Sequence, residues 1–135
     1  MVYRFNILKS DYDNAGSVSS QVKELIKDMN IDKRIIRRIS IACYEAEINM
    51  VIHSLGGEIL LDIEDDKLRL VFKDLGPGIL DLDLALTPGF STANNRARSL
   101  GFGAGMGLVN IKRVCDYFEI NSNSNGTILK IGFNL

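Results

Sequence analysis

Seven of the twelve glycines (Gly76, Gly78, Gly89, Gly101, Gly103, Gly105 and Gly107) and both prolines, Pro77 and Pro88, fall between residues 74 and 107. Glycine adds backbone entropy and proline removes an N–H donor, so no long helix or central strand runs through this quarter of the chain. The regular elements must lie on either side of it, and both sides carry clear periodicity. Val2 to Leu8 alternates as a first strand. Residues 13–29 carry helical spacing (Val18, Val22, Leu25, Ile26, Met29), with Asp11 or Asp13 available as a cap. Asp32 caps a second helix expected to run to about Ser54, where the Gly56-Gly57 pair ends it. Glu58 to Glu64 and Lys67 to Lys73 form a hairpin about Asp65-Asp66. After the glycines a helix from Met106 to Phe118 is expected, then strands at Phe118 to Ser122 and Thr127 to Phe133. A short apolar stretch, Leu80 to Leu86, suits one helical turn inside the irregular segment. With 135 residues, no repeat and no linker, the chain reads as one domain, 1–135. A loop of roughly 20 residues inside such a domain is usually a lid or binding loop.

The second helix carries a polar pair in an apolar setting. Its polar strip is Lys33, Arg37, Ser40, Tyr44 and Glu47, and most of the remaining arc is apolar. Glu45 and Asn49 fall inside that apolar arc, one turn apart. Leaving a carboxylate and an amide there without partners is costly, so something polar meets them. One account is a hydrogen-bonded core pair. The other is a pocket floor, where Asn49 offers an oxygen to a hard cation and Glu45 accepts a proton from an attacking hydroxyl or water.

The glycine segments favour the pocket. Asp74-Leu75-Gly76-Pro77-Gly78 follows directly on a strand, and a carboxylate there suits the exocyclic amine of a purine. Gly101 to Gly107, alternating glycine with Phe102, Ala104 and Met106, leads through Leu108 into a helix. Unshielded N–H groups at a helix start suit phosphate. A Rossmann fingerprint needs its glycines between the first strand and first helix, and a Walker A loop needs a Gly-Lys-Ser/Thr ending. The late position and the Gly107-Leu108 ending exclude both.

Glu45-Ala46-x-x-Asn49-x-x-x-His53, Asp74-x-Gly76-x-Gly78 and Gly103-x-Gly105-x-Gly107, in that order, resemble the N, G1 and G2 boxes of the GHKL (histidine kinase-like) ATPase superfamily. The turn Gly126-Thr127 before the last strand fits as well, and the resemblance covers residues 13–135. It implies an α/β fold of the Bergerat type, a two-layer sandwich with a mixed, mostly antiparallel sheet. It also implies ATP and Mg²⁺: Asn49 as the metal ligand, Asp74 at the adenine amine with Thr127 nearby, and Gly76 and Gly78 shaping the adenine pocket. Gly103, Gly105, Met106, Gly107 and Leu108 would wrap the phosphates, and residues 79–104 would form the lid. Thr92 in that lid either meets phosphate or caps a turn.

Within the superfamily, histidine kinases usually carry Asn where this chain has Glu45; a Glu is expected where a hydroxyl or water attacks the γ-phosphate. Hydrolytic members continue into a second domain, for which 135 residues leave no room. The stretch from Ala85 to Thr92 resembles the switch kinases of the anti-sigma factor branch. The resemblance therefore implies a protein serine/threonine kinase with Glu45 as its catalytic base, acting on a small STAS-domain-like partner. The alternative is an ATP-gated module that sequesters a sigma factor or other regulator without efficient transfer. Members of the branch are often homodimers. His53 reads as a structural neighbour of Asn49, and Lys112 and Arg113 as solvated helix residues or added charge near phosphate.

Charge and composition close off other classes. A net charge of -1 gives no global field toward nucleic acid or anionic lipid. The basic run Lys33, Arg34, Arg37 and Arg38 reads as a solvated face. No apolar run approaches the ~20 residues of a membrane span, and the start lacks a signal-peptide layout. Cys43 and Cys115 suit reduced buried thiols, and one histidine without a CxxC pair argues against zinc. A cytoplasmic location is the expectation.

Overall fold

A computed structural model describes residues 1–79, 84, 86–87 and 107–135. Five strands and three α-helices are present among them: β1 (Val2–Leu8), α1 (Ser17–Ile26), α2 (Lys33–His53), β2 (Gly56–Ile63), β3 (Lys67–Asp74), α3 (Gly107–Val114), β4 (Tyr117–Asn123) and β5 (Gly126–Asn134). The sheet order is β1-β2-β3-β5-β4. The sheet, expected to be mostly antiparallel, is antiparallel at all four described pairings.

Alternation in the strands decides which face is covered. Along β3, Leu68, Leu70 and Phe72 are buried while Lys67, Arg69 and Lys73 are exposed. β5 repeats this with Leu129, Ile131 and Phe133 against Lys130 and Asn134. The buried set packs with Ile39, Ala42, Cys43, Ala46 and Met50 of α2 and Val18, Val22 and Ile26 of α1 in one core. Each such large side chain contributes about 1.5–3 kcal/mol relative to exposure. The result is one layer of helices on one sheet, with α2 central.

Several element ends differ from expectation, each for a local reason. Tyr12–Asn14 forms a separate 3-10 turn, and Gly16 at φ 95° redirects the chain, so α1 starts only at Ser17. Neither Asp11 nor Asp13 caps it; Asp11 instead accepts from Asn14 Nδ2 at 3.0 Å. The first helix also ends at Ile26 rather than Met29. Asp32 does cap α2, accepting from the Arg34 amide at 2.7 Å. Its end is set by Ser54, whose hydroxyl donates to the Met50 carbonyl at 2.7 Å; Gly56 and Gly57 open β2 instead. α3 stops at Val114 because the Asp116 amide already bonds the Gly132 carbonyl at 2.9 Å and commits the chain to β4. The helical turn expected over 80–86 lies outside the described residues except at Leu84 and Leu86, and Leu84 is helical. Cys43 is buried, Cys115 is half-buried, and both are free thiols whose pKa burial pushes up.

Candidate functional site

Three contacts set α3 antiparallel along α2. A Cβ at Gly107 would lie 2.9 Å from Asn49 Oδ1, Asn110 Nδ2 donates to Glu45 Oε1 at 3.5 Å, and Arg38 Nη1 donates to the Val114 carbonyl at 3.2 Å. Glu45 and Asn49 are both half-buried. What meets the polar pair of α2 is therefore the start of α3, where N–H groups are unpaired within the helix. Glycine at 107 leaves the Asn49 amide its place, since a Cβ there would make that side chain turn aside. The apolar arc expected around Glu45 and Asn49 is thus partly the seam between two helices.

Asp74, the last residue of β3, is held by one oxygen. Its Oδ1 accepts from the Gly76 and Thr127 amides, both at 2.9 Å. Among the described residues no hydrogen bond reaches its Oδ2. Gly126 at φ 140° makes this possible, because a Cβ there would strike the Asp74 carbonyl and lie 2.9 Å from Oδ1. Thr127 is buried, and its hydroxyl pairs with Ser122 Oγ at 2.7 Å, which in turn accepts from the Ile79 amide at 2.6 Å. The β4–β5 hairpin is thereby tied to the Asp74–Gly78 turn. The end of α2 joins the same place: the Leu55 amide donates to the Gly76 carbonyl at 2.9 Å. Asp74, Gly76, Gly78 and Thr127 thus form one cluster at the C-terminal end of α2, and Glu45, Asn49, Gly107 and Asn110 a second along its flank. Leu108 is half-buried in the first turn of α3. Thr92, Gly103, Gly105, Met106 and most of the lid read at 79–104 lie outside the described residues.

Glu47 departs most from the sequence reading. It was placed with Tyr44 on the solvent strip, yet it is 0% exposed. Its Oε2 accepts from the Gly16 and Val18 amides at 3.0 and 3.1 Å, and its Oε1 from the Ser19 amide at 2.9 Å. Burial pushes its carboxyl up in pKa, against the downward pull of those three donors. Ser122 and Asn110 were also missed. Asn110 had a signal, an amide three residues beyond Gly107 on the same face as a helix start.

His53 is half-buried, and burial holds its imidazole below the ordinary histidine range. A base depressed in the folded state stabilises the fold above its unfolded pKa, and that stability is lost as pH falls through the folded value. The wild-type urea midpoint should therefore drop between pH 7 and pH 5 more than that of His53→Gln. Equal drops in the two proteins would show that His53 does not contribute.

A glycine-opened helix start, a polar flank of α2 and a carboxylate corner at the end of β3 stand where the three boxes lie. The profile of the histidine kinase-like ATPase domain matches residues 8–133. The chain belongs to this family. It is 33% identical over 89 residues to the serine/threonine-protein kinase RsbT of Bacillus subtilis (strain 168), an alignment covering 63% of this chain and 61% of that protein. The fold is similar to the crystal structure of the RsbU and RsbW domains of a Mycobacterium tuberculosis protein, with a TM-score of 0.67 at 17% identity over 98% of this chain and 32% of that one. It is also similar to the histidine kinase domain of a blue-light activated histidine kinase from Erythrobacter litoralis, with a TM-score of 0.56 at 14% identity over 90% of this chain and 61% of that one. The family expected from the three boxes is borne out, and the curated relative carries the serine/threonine kinase name toward which Glu45 pointed. No described helix is long and apolar enough to cross a membrane.

Proposed function

We propose that this chain, as a single domain 1–135 in the cytoplasm, is an ATP-dependent serine/threonine kinase of the anti-sigma factor type. Its substrate is a hydroxyl on a small STAS-domain-like partner. The observation that carries the reading is the seam at which Glu45 and Asn49 of α2 meet Gly107 and Asn110 of α3. Family membership supports ATP as the phosphate donor.

The described residues fit that substrate. Asp74 keeps Oδ2 for an amine donor while Oδ1 is fixed by two backbone N–H groups. Two amide side chains and a carboxylate gather where Gly107 brings the α3 backbone closest. Oxygen donors of this kind suit Mg²⁺, which would neutralise phosphate charge when bound at Asn49. The first-turn N–H groups of Gly107 and Leu108 would stabilise negative charge at the start of α3 without reorganising. Glu45, one turn before Asn49, is placed to orient the partner's hydroxyl and take its proton.

Titration calorimetry with ATP, with and without Mg²⁺, tests the pocket. Asp74→Asn keeps the oxygen that Gly76 and Thr127 hold and turns the other toward the adenine amine as a second donor. Opposed donors cost about 1–3 kcal/mol, so affinity should fall about 5- to 150-fold. Asn49→Ala should abolish the gain that Mg²⁺ gives the wild type. Wild type that binds no adenine nucleotide would end the kinase reading. Binding without transfer to any hydroxyl would leave an ATP-gated module that sequesters its partner.

A further inference from the structure

The start of α2 breaks a rule of helix electrostatics. A helix N-terminus carries a partial positive charge, and cations in its first turns cost stability while acids there are favourable. α2 has no acidic residue in its first turn and places Lys33, Arg34, Arg37 and Arg38 within its first six residues. Asp32 offsets part of this by capping and by pairing with Arg34 at 3.3 Å. Arg38 has a structural use: it sits over the Phe133 ring, bonds the Val114 carbonyl and pairs with Asp116 at 3.5 Å. Among the described residues, Lys33 and Arg37 make no ion pair and are exposed. A local cost without a structural gain is a mark of function.

The antiparallel packing of α3 brings more charge to the same end. Val114 lies at Arg38, so Lys112 and Arg113 join the cluster from the end of α3. Lys112 and Arg113 are both exposed, and Lys112 sits over the Phe118 ring at 5.8 Å. A hollow of about 250 Å³ opens there, lined by Leu86, Val109, Lys112 and Arg113. Ile41, 37% exposed, lies on the α2 face between Arg38 and Glu45. Lys33, Arg34, Arg37, Arg38, Lys112 and Arg113 thus gather on the first turns of α2 and the end of α3, where Asp32 pairs with Arg34 and Asp116 with Arg38.

We propose that Lys33, Arg34, Arg37 and Arg113 form the docking surface for an acidic segment of the protein whose hydroxyl meets Glu45. The proposal rests on the kinase reading of that site. Charge complementarity chooses the occupant: a short acidic segment fits a local positive end, while a chain of net charge −1 offers a long polyanion or an anionic membrane no wider positive field. Spacing fixes the register. Arg37 precedes Glu45 by eight residues on α2, about 12 Å along the axis. An extended peptide covers that span in about three or four residues, so the partner carries acids about that far from its acceptor hydroxyl.

The test uses the full chain and a short labelled peptide bearing one serine and a glutamate cluster about four residues away. A lysine-for-glutamate counterpart is the control. Fluorescence anisotropy at low salt should show the acidic peptide bound at least about tenfold more tightly than its counterpart, and the preference should fade as salt rises. Lys33→Glu and Arg37→Glu together should weaken it about tenfold or more, leaving ATP affinity intact. That variant should stay folded, since acids at the start of α2 agree with its dipole, and its thermal melt verifies this. Equal binding of the two peptides, or full binding by the folded double variant, would overturn the proposal. So would preferential binding of a single-stranded oligonucleotide or a phosphatidylserine vesicle at these residues. Peptide binding is read without nucleotide, so a chain that binds the peptide through the patch but never binds ATP would sink the kinase reading alone.

Discussion

Glu45→Gln is expected to slow phosphoryl transfer to the partner hydroxyl by about 10²–10⁴-fold, the usual contribution of a positioned base. That loss corresponds to about 3–5 kcal/mol of barrier. ATP affinity should be unchanged, because the corner proposed for adenine, Asp74 and Thr127, lies at the far end of α2. The glutamine keeps the size of the side chain and can still meet Asn110, so packing survives while the proton acceptor is lost. Glu45 is suited to this role by how little holds it: its one described hydrogen bond, from Asn110, is 3.5 Å long, at the edge of what counts as one. A carboxylate committed to several strong donors would be a poor base. Single-turnover transfer of labelled γ-phosphate, with nucleotide binding measured on the same samples, separates the two effects. A Glu45→Gln protein that transfers at the wild-type rate would remove Glu45 from the chemistry. Loss of transfer and nucleotide binding together would make it a pocket residue rather than a base.

The sequence made the architecture legible wherever one period dominated. The alternation of Lys67 to Lys73 and Thr127 to Phe133 showed both the strands and their buried faces, and each is confirmed by register and burial. Asp32 capped as read because its cap is local, two residues from the amide it accepts. Asp11 and Asp13 misled because the N-terminus of α1 is capped from 28 to 31 residues away, by Glu47. The same long-range fact misplaced Glu47 itself. A helical wheel assigns one solvent strip, yet α2 is covered by the sheet below, by α3 along Glu45 and Asn49, and by α1 over Glu47. Two glutamates two residues apart thus look alike in the sequence and face different neighbours. At the site, the motif spacing brought together Asp74, Gly76 and Thr127, and separately Asn49 and Gly107. Ser122 and Asn110 join them only through pairing of β4 with β5 and the antiparallel run of α3, which no local pattern encodes.

Glu47→Ala should therefore cost about 3–5 kcal/mol, the range for removing one partner from a buried charged network. The mechanism is specific. Gly16, at the N-cap of α1, has no side chain to offer, so the amides of Gly16, Val18 and Ser19 depend on the Glu47 carboxylate. Alanine would strand three donors in the interior and open a cavity beneath them, and it would remove an anion from the positive end of the α1 dipole. A loss of this size approaches the whole stability of many domains, so the alanine protein is expected to be largely unfolded. Glu47→Gln keeps the measurement possible: one oxygen still accepts, while the amide nitrogen opposes a backbone donor, and about 1–3 kcal/mol should be lost. Urea unfolding reads both as a lower midpoint at constant slope. Asp11→Ala, which breaks only the side-chain bond to Asn14, supplies the contrast and should cost well under about 1 kcal/mol. If Glu47→Gln fell no further than Asp11→Ala, the buried carboxylate would not be what fastens α1 to α2, and the core packing of Val18, Val22 and Ile26 would have to carry that join alone.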